Sequence, residues 1–84
     1  MTGKEFKEIR EQLGLSQEQL STILCLSGFK AVSNIETGFR NPSRLMAALM
    51  QVFIALPEKR SLELRDMLVG ISKQYQKKAK GGKR

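Results

Sequence analysis

The sequence has no histidine, a single cysteine (Cys25) and no long apolar run. A lone thiol closes no internal disulfide. One thiol without any histidine comes close to excluding a zinc site of the usual ligand types. The missing imidazole also removes the commonest general base. The carboxylates are scattered among lysines on segments that read as solvated helix faces, so no constellation for catalysis stands out. The expectation is a protein that is not an enzyme and uses no metal or other cofactor. No apolar stretch approaches the roughly 18 residues that span a bilayer, so no membrane partner is expected. Residues 1–8, M-T-G-K-E-F-K-E, lack the apolar segment of a signal peptide, which leads to an expected cytoplasmic location. Aromatic pairs that stack single-stranded bases are missing, which argues against an RNA-associated module. No ligand pocket is indicated, and Cys25 reads as a small buried apolar residue.

What is present fits one small domain. The chain has 84 residues and can bury only a modest core. Its net charge is +7, but five of the positive charges lie in residues 77–84, K-K-A-K-G-G-K-R. Residues 1–76 hold ten basic and eight acidic side chains, a net of +2. Charge alone is therefore a weak argument that the folded part meets a polyanion. The tail is either a solubilising end or a nonspecific grip on DNA.

Five helices can be read from the pattern. Thr2 and Glu5 fit a capping box, Phe6, Ile9 and Leu13 follow helical spacing, and Gly14 suits a helix end. Ser16 and Gln19 form a second capping box before Leu20, Ile23 and Leu24, in a helix ending near Cys25. Ser27 reads as the cap of a third helix with Val32 and Ile35 on its buried side, ended by Gly38. A fourth starts at N-P-S, capped by Asn41 or Ser43. It carries Leu45, Leu49, Val52 and Phe53, widened by Met46, Met50 and Ile54. Pro57 breaks it. A fifth runs from about Glu58 or Ser61 to about Lys77, with Leu64, Leu68, Ile71 and Tyr75 at i, i+4, i+7 and i+11. The fold class is all-α, with residues 1–76 as the domain and 77–84 as a disordered basic tail.

Two short helices joined by a tight turn make a helix-turn-helix. The runs R-E-Q-L-G-L-S-Q-E-Q-L (Arg10–Leu20) and S-N-I-E-T-G-F-R-N-P-S (Ser33–Ser43) resemble the Cro/phage-repressor (XRE) family over residues 4–56, with the fifth helix as a C-terminal extension. The resemblance implies that Gln17 contacts a DNA phosphate. It also implies that Arg10 and Glu36 form a salt bridge tying the first helix to the third, and that the loop with Arg40 and Asn41 follows the sugar–phosphate backbone. Arg44 and Thr37 join the expected phosphate contacts, although Arg44 reads equally as a plain solvated residue. The turn before Val32 is one residue longer than in common members, and Cys25 stands where the family most often has glycine. Gly28 is expected to take over the unusual backbone angles.

With Val32 and Ile35 inward, Phe29, Lys30, Ser33 and Asn34 point outward, toward base edges in the major groove. Lys30 suits guanine O6 and N7 or a phosphate, and Asn34 suits adenine N6 and N7. Ser33 meets a base edge or stays solvated. Phe29 lies against a thymine methyl, or folds into the core or a dimer contact. Met46, Met50, Ile54, Leu64, Leu68, Ile71 and Tyr75 are either core or a homodimer surface, and the excess apolar width favours the dimer.

The resemblance thus implies a sequence-specific regulator of double-stranded DNA, a homodimeric repressor on an inverted-repeat operator. Small regulators of this kind occur in phages and mobile elements, anti-CRISPR-associated ones included. The alternative is an antitoxin that also binds a toxin protein.

Overall fold

The computed structural model describes residues 1–81 and contains five helices: α1 (Gly3–Gln12), α2 (Gln17–Ile23), α3 (Phe29–Glu36), α4 (Arg44–Ala55) and α5 (Glu58–Gly81). No strand occurs among the described residues. α5 continues past Lys77, and residues 82–84 of the basic tail lie outside the described residues.

The helix starts follow local chemistry. Thr2 Oγ1 accepts from Glu5 N at 3.1 Å and Glu5 Oε1 accepts from Thr2 N at 2.8 Å, closing a reciprocal cap on α1. Ser16 and Gln19 repeat the arrangement on α2, at 3.0 and 2.9 Å. At α4 the cap is Ser43, whose Oγ accepts from Met46 N at 3.1 Å. Pro42 therefore precedes the helix. α3 departs from expectation. Its N-cap is Gly28, not Ser27, and no side chain caps it.

α1 and α2 end alike. After α1, Gly14 N donates to Glu11 O and Leu15 N to Arg10 O. After α2, Cys25 N donates to Thr22 O and Leu26 N to Ser21 O. Both are Schellman turns, which need a left-handed residue just past the cap. Gly14 supplies it at φ 71°, and Cys25 itself supplies it at φ 59°. Gly28 is fully extended, at φ 167° and ψ −177°, and does not take over that role. Cys25 is also exposed rather than buried, because the turn that ends α2 holds it at the surface.

Phe6, Leu20, Ile23, Val32, Ile35, Met50 and Phe53 form the core. Removing each such side chain from water contributes about 1.5–3 kcal/mol. α3 packs on α1 and α2, α4 on α1, and α5 on α2 and α4. This corrects part of the expected dimer surface. Met50 is wholly buried and cannot meet a second copy, and Met46, Leu64 and Leu68 pack against the core. Of the expected set, Ile54, Ile71 and Tyr75 remain exposed, joined by Leu45, Val52, Leu62 and Met67. The inward stripe of α5 is Ser61, Arg65, Leu68 and Ser72, with Leu64 and Val69 beside it.

Candidate nucleic-acid interface

α3 is divided by its own periodicity. Val32 and Ile35 face the core, which turns Lys30 and Asn34 toward an open cleft of about 450 Å³. Arg40, Asn41 and Ser43 line the other side of that cleft, and Leu26, Ala31 and Met46 contribute to its floor. The loop is tied back to the helix, with Arg40 N donating to Asn34 O at 3.0 Å. Two cations line the cleft and no acidic side chain does, among the described residues. It therefore suits an anionic, hydrogen-bonding partner.

Glu36, the carboxylate of α3, is held behind this face. Arg10 Nε approaches Glu36 Oε2 at 2.5 Å and Nη2 approaches Oε1 at 3.3 Å, a two-pronged contact. Arg10 Nη1 also donates to Leu15 O at 2.8 Å, which joins the turn before α2 to the same group. Gln17 completes the network. Its Nε2 donates to Glu36 Oε1 at 2.9 Å, so in this structure the side-chain amide faces inward to α3 rather than out toward a phosphate. The expected pair Arg10 and Glu36 is brought together, and Gln17 joins it as a third member.

The remaining outward residues are spread more widely. Phe29 is exposed, Ser33 is half-buried, and neither lines the cleft. Thr37 is exposed, and its Oγ1 donates to Asn34 O at 3.3 Å. Arg44 is exposed at the first position of α4. Phe39 is 79% exposed, the most open of the large apolar side chains.

Sequence reasoning missed one structural contributor. A Cβ built on Gly3 would lie 2.3 Å from Ile35 O and 2.9 Å from Glu36 O. The start of α1 thus touches the end of α3 directly, and only a residue without a side chain fits there. A glycine in the first turn of a capped helix was the one available signal.

Among the described residues, no group of three or more His, Cys, Asp and Glu side chains is placed to hold a metal ion. No described helix is long and apolar enough to cross a membrane.

A protein-family model described as helix-turn-helix, of the Cro/C1 (XRE) type, matches residues 6–54, from α1 through nearly all of α4. The chain belongs to that family. It carries the domain of a sequence-specific DNA-binding regulator, whose partner is double-stranded DNA. Neither the comparison with curated proteins nor that with solved structures yields a match.

Proposed function

We propose that the protein is a homodimeric repressor that lays α3 in the major groove of an inverted-repeat operator. The observation that carries this reading is the acid-free cleft, with Lys30 and Asn34 on its α3 wall and Arg40 and Asn41 on its loop wall. Asn34 reads adenine bidentately, and Lys30 donates to guanine or a phosphate. Ser33 and Phe29 meet flanking base edges. Arg40, Asn41, Thr37 and Arg44 hold the backbone, which fixes register without reading sequence. A cation at the start of α4 opposes the helix dipole, and a neighbouring phosphate relieves that conflict. Gln17's side chain is engaged on Glu36. Its part in DNA binding then falls to the unpaired backbone N–H groups of the first turn of α2.

Dimerisation rests on exposed apolar side chains. Leu45, Leu49 and Val52 recur along α4, and Met67, Ile71 and Tyr75 along α5; all but the half-buried Leu49 are exposed. Apolar surface concentrated in this way marks an interaction face. A second copy on that face would present two recognition helices to successive major grooves, roughly 34 Å apart.

Selection of bound sites from a random duplex library, at near-physiological salt, tests the reading. It should enrich an inverted repeat with half-sites about one helical turn apart. Salt-sensitive binding to every sequence, without enrichment, would remove α3 from the readout.

A further inference from the structure

The cleft between α3 and the loop after it is polar at its walls and apolar below. Lys30 and Asn34 stand on one wall, and Arg40 and Asn41 on the other. Between them lie Leu26, Ala31 and Met46, each half-buried, so each keeps part of its side chain open to the cleft. Leu26 and Met46 also pack against the core, which holds the floor in place. A cleft that met only phosphates would gain nothing from this floor. Apolar surface left open at a polar site suits a partner that carries an apolar group beside its hydrogen-bonding atoms.

In the major groove of DNA, thymine alone offers such a group. Its C5-methyl lies next to O4, and the paired adenine presents N6 and N7 on the same edge. Cytosine presents an N4 amino donor instead, whose side-chain partner is a carboxylate. No acidic side chain lines the cleft. Asn34 O is no substitute, since it already accepts from Arg40 N at 3.0 Å and from Thr37 Oγ1 at 3.3 Å. We propose that the cleft reads one whole A·T pair. Asn34 holds the adenine, and the floor of Leu26, Ala31 and Met46 takes the methyl of the thymine paired with it. Ala31 lies three residues before Asn34 on α3, a spacing that makes the two side chains neighbours on the helix surface. One base-pair edge can thus meet both. This inference rests on the reading of α3 as the base-contacting helix, and it moves the methyl contact from Phe29, which lies outside the cleft, to the cleft floor.

The test uses the full chain and its selected operator. Each thymine of the operator is replaced in turn by deoxyuridine, which keeps O4 and the base pairing and lacks only the methyl. Affinity is read by fluorescence anisotropy at fixed salt. A single position in each half-site should lose about fourfold, as expected when one methyl-sized group is no longer buried. That position should pair with the adenine at which Asn34→Ala relaxes the preference. Ala31→Ser sets a hydroxyl in the floor and should bring the penalty toward unity. Phe29→Ala should leave the penalty in full. An operator that tolerates deoxyuridine equally at every position overturns this proposal and leaves the reading of α3 standing. So does a penalty that Phe29→Ala abolishes and Ala31→Ser retains. Failure to select any operator overturns the reading of α3 itself, and this proposal with it.

Discussion

Replacing Cys25 by glycine should stabilise the protein. Cys25 is the one non-glycine residue with positive φ among the described residues, and it fills the Schellman position that Gly14 fills after α1. Holding an L-residue in the left-handed region costs about 1–2 kcal/mol. Glycine removes that cost and gives back about 0.5–1 kcal/mol in chain entropy. The net gain is about 0.5–1 kcal/mol. For a domain of this size that raises Tm by about 2–8 °C. Little else changes, because the thiol is free and exposed. Urea melts of wild type, Cys25→Gly and Cys25→Ala separate the backbone term from loss of the side chain. The glycine variant should raise the urea midpoint with an unchanged m-value, and the alanine variant, which keeps its Cβ, should not. Equal midpoints for the two variants would refute the reasoning, because the stored strain would then be absent.

Gly3→Ala drives a Cβ against Ile35 O and Glu36 O. It should cost about 1–3 kcal/mol, as overpacking does, and weaken operator binding from a residue remote from the cleft. A neutral outcome in both melting and DNA titration would show that the contact is loose. Asn34→Ala should cost roughly 1–3 kcal/mol on the selected operator and relax preference at one base pair. Arg40→Ala should weaken all duplexes alike and lower the salt slope. Equal losses of Asn34→Ala on operator and random DNA would count against base reading. The hydrogen bond from the Thr2 backbone holds the Glu5 carboxyl below its ordinary pKa, helped by the nearby N-terminal charge. A depressed folded-state pKa adds stability above the unfolded value of about 4.3, and that stability is lost as pH falls through the folded value. Between pH ~6 and ~3, wild type should therefore lose more stability than Glu5→Gln. Parallel losses would show that this cap carries no charge-dependent share.

Helix starts were the most legible feature, because Thr2–Glu5 and Ser16–Gln19 announce themselves over three residues. Val32 and Ile35 likewise revealed the register of α3, since two apolar residues three apart leave one outward face. Ser27 misled because a serine before an apolar run reads as a cap, whereas the turn through Cys25 and Leu26 delays the helix to Phe29. On α5 the apolar period selected Leu64, Leu68, Ile71 and Tyr75; Leu68 does lie on the inward stripe, but its other members are Ser61, Arg65 and Ser72. Hydrophobicity cannot reveal the part of a stripe that is built from serines and an arginine. Met46 and Met50 were indistinguishable from Leu45 and Val52 by type, and only the packing of α4 on α1 and α5 separates them. Gln17 was legible as a first-turn residue, but not as the partner of a carboxylate 19 positions away.

The clamp on Glu36 has an evolutionary consequence. Arg10 and Gln17 grip α3 by its last residue, and Val32 and Ile35 anchor it from beneath. Of the positions that secure the helix only Ile35 also borders the cleft, and Lys30 and Asn34 take no side-chain part in the fastening. Lineages descended from such a chain can exchange residues 30 and 34 while leaving the scaffold's fastening untouched. If residues 30 and 34 read the operator as proposed, a change of operator becomes a short mutational walk rather than a redesign, and a regulator built this way can follow a drifting binding site without passing through unfolded ancestors.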